Sequence, residues 1–173
     1  MKLENHRLKN VKFIASPNFN QRQAEQDISL IVIHGISLPP RQFGGDGVEK
    51  LFCNQLNPNE HVYYQQIYQL KVSAHLYIKR TGEMIQFVPF NQRAWHAGQS
   101  EFEGRCACND FSIGIELEGC DDIAYTDIQY RQLNQVIAVL KQHYPKIKNV
   151  VGHSDIAPGR KTDPGECFDW LKI

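Results

Sequence analysis

Ile28-Ser29-Leu30-Ile31-Val32-Ile33-His34-Gly35 is the stretch on which the fold turns. Its apolar residues are mostly β-branched and nearly uninterrupted, and exposed strands would alternate with polar residues, so Ile28 to Ile33 reads as a buried central strand. The run stops abruptly at His34-Gly35. A second strand is legible at Ser112-Ile113-Gly114-Ile115-Glu116-Leu117-Glu118, which alternates strictly. That pattern predicts a half-buried strand with Ile113, Ile115 and Leu117 on one face and Ser112, Gly114, Glu116 and Glu118 on the other. Val150-Val151 is a short third strand leading to Gly152-His153.

Other elements follow from these. Segments 75–78 and 84–88 flank Thr81-Gly82-Glu83 and predict a hairpin whose turn uses the glycine. Thr126-Asp127-Ile128-Gln129 is a capping box opening a helix. Leu133, Val136, Ile137, Leu140 and Tyr144 give that helix an apolar stripe, and Pro145 stops it. From Ser37 to Tyr64 the chain is irregular, with Pro39-Pro40, Gly44-Gly45 and a short helix around Val48 to Asn54. A long segment of this kind inside a folded domain commonly walls a binding site. Strands and helices mixed in this order predict an α/β domain with a central mixed sheet flanked by helices.

At 173 residues, the chain is expected to form one domain over residues 1–173, as a monomer. Nineteen basic side chains balance nineteen acidic ones. No basic excess speaks for a nucleic-acid partner. The longest apolar run is strand-length, far short of the ~20 residues that span a bilayer, so no membrane association is expected. The first twenty residues lack the apolar core of a signal peptide. Five cysteines (Cys53, Cys106, Cys108, Cys120 and Cys167) form no disulfide-like array, which favours a reducing compartment. Cys106 and Cys108 read as ordinary free thiols, since two thiolates alone make a poor metal site.

His34 and His153 occupy matching positions, each just past the end of a predicted strand, and such positions are held rigidly. One histidine there is most simply structural; two, with acidic residues nearby, suit a metal. Two histidines and one carboxylate are the usual protein ligands of a catalytic zinc. Asp155 and Asp163 both follow His153, and spacing does not choose between them. Lys161 lies two residues before Asp163 and would share its side of an extended stretch. Glu116 is, on pattern alone, a strand-face carboxylate, with Gly114 leaving room for substrate beside it.

The strings IVIHGISLPP (31–40), SAHLYIKRTGEMIQFVPFNQRAWHAG (73–98), CNDFSIGIELEG (108–119) and GHSDIAPGRKTDPG (152–165) resemble the type 2 N-acetylmuramoyl-L-alanine amidases, whose fold is shared by peptidoglycan recognition proteins. The similarity runs from about Ser16 to Trp170. Carried over position by position, it implies that His34, His153 and Asp163 hold a zinc ion, that Glu116 is the general acid/base and that Lys161 stabilises the transition state. It also implies a substrate, a 1,6-anhydro-muropeptide cut between the lactyl group and L-alanine. A cytoplasmic role in peptidoglycan recycling, with an indirect influence on β-lactamase induction, goes with it.

Trp95 and His96 resemble a family segment at the cleft, where Trp95 would stack on substrate or else pack as a core aromatic. Asp155 is a candidate to orient a zinc ligand, and His75 reads as structural. Two departures stand out. Gly35 replaces an Asn that many relatives carry, and Ala107 replaces an Arg, both at expected substrate-side positions. The alternatives are an amidase of polymeric wall and a non-catalytic receptor on the same fold. Such receptors typically lack a zinc ligand, whereas all three candidates are present. A thiol hydrolase would need a Cys–His pair that no motif picks out.

Overall fold

Long apolar strands reach the centre of a sheet because both their faces can be covered there. The computed structural model, which describes residues 1–173, builds its main sheet this way. The six strands are β1 (Lys12–Phe13), β2 (Leu30–Ile36), β3 (Leu76–Ile78), β4 (Met84–Gln86), β5 (Ser112–Glu118) and β6 (Asn149–Gly152). They lie in the order β6-β2-β5-β3-β4-β1. β2 runs parallel to both β5 and β6, and β5 runs parallel to β3. β3 and β4 form the expected antiparallel hairpin, with β1 parallel at the edge. The sheet is therefore mixed, as the sequence predicts.

Two expectations change. β2 extends through His34 and Gly35 to Ile36, because all seven of its residues pair with Ser112–Glu118. His34 thus lies within the strand rather than beyond its end. β5 is not half-buried: every one of its seven residues is buried. Its polar face meets other chain segments instead of solvent, and the Glu118 carboxylate accepts hydrogen bonds from the backbone of Gly44 and Arg80.

Only one long helix covers the sheet, α3 (Asp127–His143). Its Leu133, Val136, Ile137 and Leu140 join Ile31, Ile33, Ile113, Ile115 and Leu117 in the largest apolar cluster. The opposite face is covered mainly by irregular chain. There α1 (Gly47–Phe52) and α2 (Tyr64–Ile67) belong to the 37–67 segment, whose Leu38, Val48, Leu51, Phe52 and Leu56 pack against Tyr77, Ile85 and Phe87. A third short helix, α4 (His153–Ile156), opens directly after β6. No helix is long and apolar enough to cross a membrane.

The predicted capping box forms. Gln129 N–H donates to Thr126 Oγ1 at 3.3 Å, and Gln129 Oε1 accepts from Thr126 N–H at 3.0 Å. Thr126→Ala removes the cap and is expected to cost about 1 kcal/mol. The midpoint of thermal unfolding, followed by circular dichroism, should fall by roughly 2–4 °C.

Candidate active site

The register of β2 on β5 sets His34 directly opposite Glu116. Both side chains leave the sheet on the face away from α3. His153, the first residue of α4, and Asp163, on the loop that follows, complete a group whose candidate ligand atoms lie within 4.8 Å of one another. His34 Nδ1 is 2.9 Å from His153 Nδ1, and Asp163 Oδ2 is 3.2 Å and 3.1 Å from those two atoms.

The remaining ring nitrogens settle which atoms carry protons. His153 Nε2 lies 3.2 Å from the Ala97 carbonyl, so it must donate, leaving Nδ1 of the neutral ring with its lone pair. For His34 the assignment comes through two residues. Ser112 Oγ gives its single hydrogen to the Cys108 carbonyl at 2.6 Å, so toward His96 Nε2, 3.2 Å away, it can only accept. Neutral His96 then has a bare Nδ1, which accepts from His34 Nε2–H at 2.9 Å. His34 Nδ1 is left with a lone pair too.

Electrostatics agrees with this assignment. Burial lowers the His34 pKa to about 4, against an opposing pull from Asp163, and burial holds His96 well below its usual value. Burial pushes the Asp163 carboxyl up, but hydrogen bonds from the adjacent His153 and His34 rings and their charge when protonated outweigh it and bring the group below the ordinary carboxylate range. With both rings in these tautomers, two imidazole nitrogens and a carboxylate oxygen converge on one point. Such a cluster of acceptors is costly unless a cation occupies its centre, and two nitrogens with one oxygen match zinc.

Glu116 faces the same space. Its Oε2 is buried with no hydrogen-bond partner, and burial, reinforced by Asp163 and opposed by Lys161, raises its pKa well above the usual value. A cleft of about 660 Å³ opens over these groups. His34, Glu116, His153, Lys161 and Asp163 line it together with Gly35, Trp95 and His96. Its far wall is the 37–72 segment, through Leu38, Pro40, Tyr63, Ile67 and Leu70. Trp95 donates its indole N–H to Asn20 Oδ1 at 2.7 Å, which leaves the ring face at the cleft.

Four expectations meet different neighbours. His96 is mostly buried and its two nitrogens are spent on His34 and Ser112, so its contacts are with the site's frame. Gly114 leaves room for the His96 ring rather than for a substrate. Ala107 lies outside the cleft, beside Ser100, Cys106 and Pro158 in a separate pocket. Asp155 does not orient a histidine: its Oδ2 accepts from Gly152 N–H at 2.7 Å, at the start of α4, while the Ala97 carbonyl fixes His153.

Of three supporting residues, Asn109 and Arg22 escaped the sequence pattern and His75 did not. Asn109 Oδ1 accepts from the backbone of His96 and Ala97, fixing both the ring and the carbonyl on which the site depends. Arg22 is buried and donates to the carbonyls of Asn109, Asp110 and Ser112. His75 accepts from Gly114 N–H through Nδ1; burial, then the Arg22 charge, lower its pKa to about 3, so it stays neutral and structural as expected. For Asn109 and Arg22, an Asn close before a strand was the only local hint.

The family model described as N-acetylmuramoyl-L-alanine amidase matches residues 24–166. The chain is 51% identical to the 1,6-anhydro-N-acetylmuramyl-L-alanine amidase AmpD of Escherichia coli (strain K12), over all of this chain and 95% of that one. It resembles the crystal structure of a selenomethionine AmpD derivative with a TM-score of 0.97, at 51% identity, over 99% of this chain and 97% of that one. It also resembles, with a TM-score of 0.62 and 28% identity, the E. coli amidase AmiD in complex with anhydro-N-acetylmuramic acid-L-Ala-D-γ-Glu-L-Lys, over 88% of this chain and 58% of that one.

The glycine of β5 offers a direct test of the site's frame. A Cβ on Gly114 would overlap the His96 ring, which is hydrogen-bonded on both sides and cannot withdraw. Gly114→Ala is expected to cost about 1–3 kcal/mol in denaturant unfolding. Gly45→Ala, whose Cβ would meet nothing nearer than 3.8 Å, should leave stability within about 0.5 kcal/mol of the parent.

Proposed function

The chain belongs to the N-acetylmuramoyl-L-alanine amidase family, and from that premise we propose that it is a zinc enzyme cleaving the amide between the lactyl group of 1,6-anhydro-N-acetylmuramic acid and L-alanine in muropeptides. The observation that carries the chemistry is the partnerless buried carboxylate of Glu116 beside the three convergent acceptors of His34, His153 and Asp163. The substrate class follows the relatives: AmpD is named for the anhydro-sugar amide, and AmiD is seen with an anhydro-muropeptide.

An amide resists hydrolysis because its carbonyl is weakly electrophilic and its nitrogen leaves poorly. Zinc held by His34, His153 and Asp163 would supply Lewis acidity, bringing the pKa of a water to ~7 and polarising the carbonyl. Glu116 takes the proton from the attacking water and passes it to the departing alanine nitrogen. Its raised pKa suits it to hold that proton between the two transfers. Lys161, at the cleft wall, offsets the negative charge that develops on the carbonyl oxygen. Trp95 offers a face for the sugar or peptide, and Gly35 a bare backbone at the floor.

We read residues 1–173 as one such domain, at work in cytoplasmic recycling of wall fragments. Free thiols at all five cysteines fit a reducing compartment. Removing the peptide would lower the muropeptide pool that signals β-lactamase induction in some bacteria.

Two measurements check the chemistry and the substrate. Glu116→Gln should keep stoichiometric zinc while kcat on purified anhydro-muropeptide falls about 10²–10⁴-fold. Retained activity would remove Glu116 from proton transfer. Chelation should abolish turnover and zinc should restore it, and soluble anhydro-muropeptides should be cut faster than intact sacculi. Preference for sacculi would overturn the recycling role.

A further inference from the structure

We propose that Tyr125 is the positioning residue for Asp163, a role that rests on reading His34, His153 and Asp163 as metal ligands. The two histidines stand on regular structure, β2 and α4, whereas Asp163 stands on a loop that nothing in the sheet holds directly. Two hydrogen bonds tie down the carbonyls of Asp163 and Pro164 themselves. Ser154 N–H donates to the Asp163 carbonyl at 2.9 Å, and the Tyr125 hydroxyl donates to the Pro164 carbonyl at 2.8 Å. The second comes from the core.

Tyr125 is 5% exposed, and its ring meets Phe168 edge-on at 5.5 Å between centroids. Burial raises its pKa, so the hydroxyl keeps the proton that it donates. The ring reaches Pro164 only because two glycines stand aside. A Cβ on Gly119 would overlap the ring, and a Cβ on Gly35 would overlap the hydroxyl itself. Gly35 follows His34, and Pro164 follows Asp163. The hydroxyl thus sits one residue away from two of the three ligands and sets the backbone of one against the backbone of the other. Pro164 also nests against Gly152, the residue before His153, where a Cβ would come within 2.9 Å of its Cδ. In this chain the glycine after His34 is a socket for Tyr125.

The geometry yields a test with an internal cross-check. The position a Cβ would take at Gly35 overlaps Tyr125 Oη but is an ordinary 3.5 Å from Cζ. Alanine at 35 should therefore disturb the site when residue 125 is tyrosine and be accommodated when it is phenylalanine. Zinc affinity of the metal-freed full chain, measured by competition with a chromophoric chelator, should weaken roughly tenfold in Tyr125→Phe, the scale typical of groups supporting a ligand. Gly35→Ala should weaken it similarly, and the double variant should match Tyr125→Phe alone.

Tyr130→Phe is the control. It removes another phenol's hydrogen bond, accepted from Asp169 N–H at 2.7 Å and remote from the ligands, and should leave zinc affinity unchanged. Thermal melts separate positioning from bulk stability. Tyr125→Phe should lose part of the zinc-induced rise in Tm, while its metal-free Tm falls no further than that of Tyr130→Phe. Zinc affinity within twofold of the parent in Tyr125→Phe, or additive losses in the double variant, would overturn the proposal. So would a fall confined to the metal-free Tm. If Tyr125→Phe fails to fold, Gly35→Ala alone decides by the same affinity measurement. Absence of stoichiometric zinc on the parent would overturn the ligand assignment along with it, whereas zinc on the parent and an indifferent Tyr125→Phe would overturn this proposal only.

Discussion

The parallel pairing of Leu30–Ile36 with Ser112–Glu118 is the constraint from which the rest of the site follows. Side chains on a strand alternate, so a fixed register decides at once what faces the core and what faces the cleft. Ile31 and Ile33 lie on the same side as Ile113, Ile115 and Leu117, under α3. That apolar face forces His34 and Glu116 to emerge together on the other side, as nearest neighbours on adjacent strands about 4.8 Å apart. A slip of one residue would send one of them into the core. The burial that stabilises the fold is therefore also what sets His34 and Glu116 side by side.

β6 extends the same logic by one strand. Its parallel pairing with β2 stops at Gly152 opposite Ile33, so His153 leaves the sheet one residue beyond, beside His34. The two histidines then differ in support, one within a central strand and the other at the start of a short helix, yet both take their height from β2. Asp163 has no such strand. Its place depends on backbone hydrogen bonds and on the bare glycines near each histidine.

The alternating pattern of Ser112–Glu118 and the apolar run before His34 made the sheet centre, the core face and the facing of Glu116 readable in advance. The capping box made the start of α3 readable. These signals are local, because periodicity reports which side of an element a residue takes. Periodicity is silent on what covers that side. The face carrying Gly114 looked open from the sequence, but the 92–111 segment folds over it and puts His96 where a substrate was expected. Asn109, Arg22 and Tyr125 act through contacts between residues far apart in the chain, as when Arg22 reaches Ser112. Ala107 shows the same limit from the other side: near a site residue in sequence, it turns to a different pocket.

Arg22 poses a further physical question, since a guanidinium in the interior normally needs a carboxylate. Here it has three carbonyls, with Nε left unpartnered, and burial lowers its pKa to about 10. Its charge acts on the histidines. After burial, it is the main influence against protonation of His75, whereas at His96 burial and the neighbouring His34, His75 and His153 come first and Arg22 adds least. A protonated His96 would present a hydrogen at Nδ1 and turn the ring from acceptor to competing donor toward His34, while its Nε2–H would go on donating to Ser112. With His96 neutral, the chain that ends at the Cys108 carbonyl runs outward from His34, and the bond to Ala97 runs outward from His153. In this arrangement the Nε2–H groups of the two rings point away from the cleft, and the Nδ1 lone pairs point inward. The buried cation thus adds its charge to burial and the neighbouring rings, which together favour the one arrangement of protons in which the site can receive a metal.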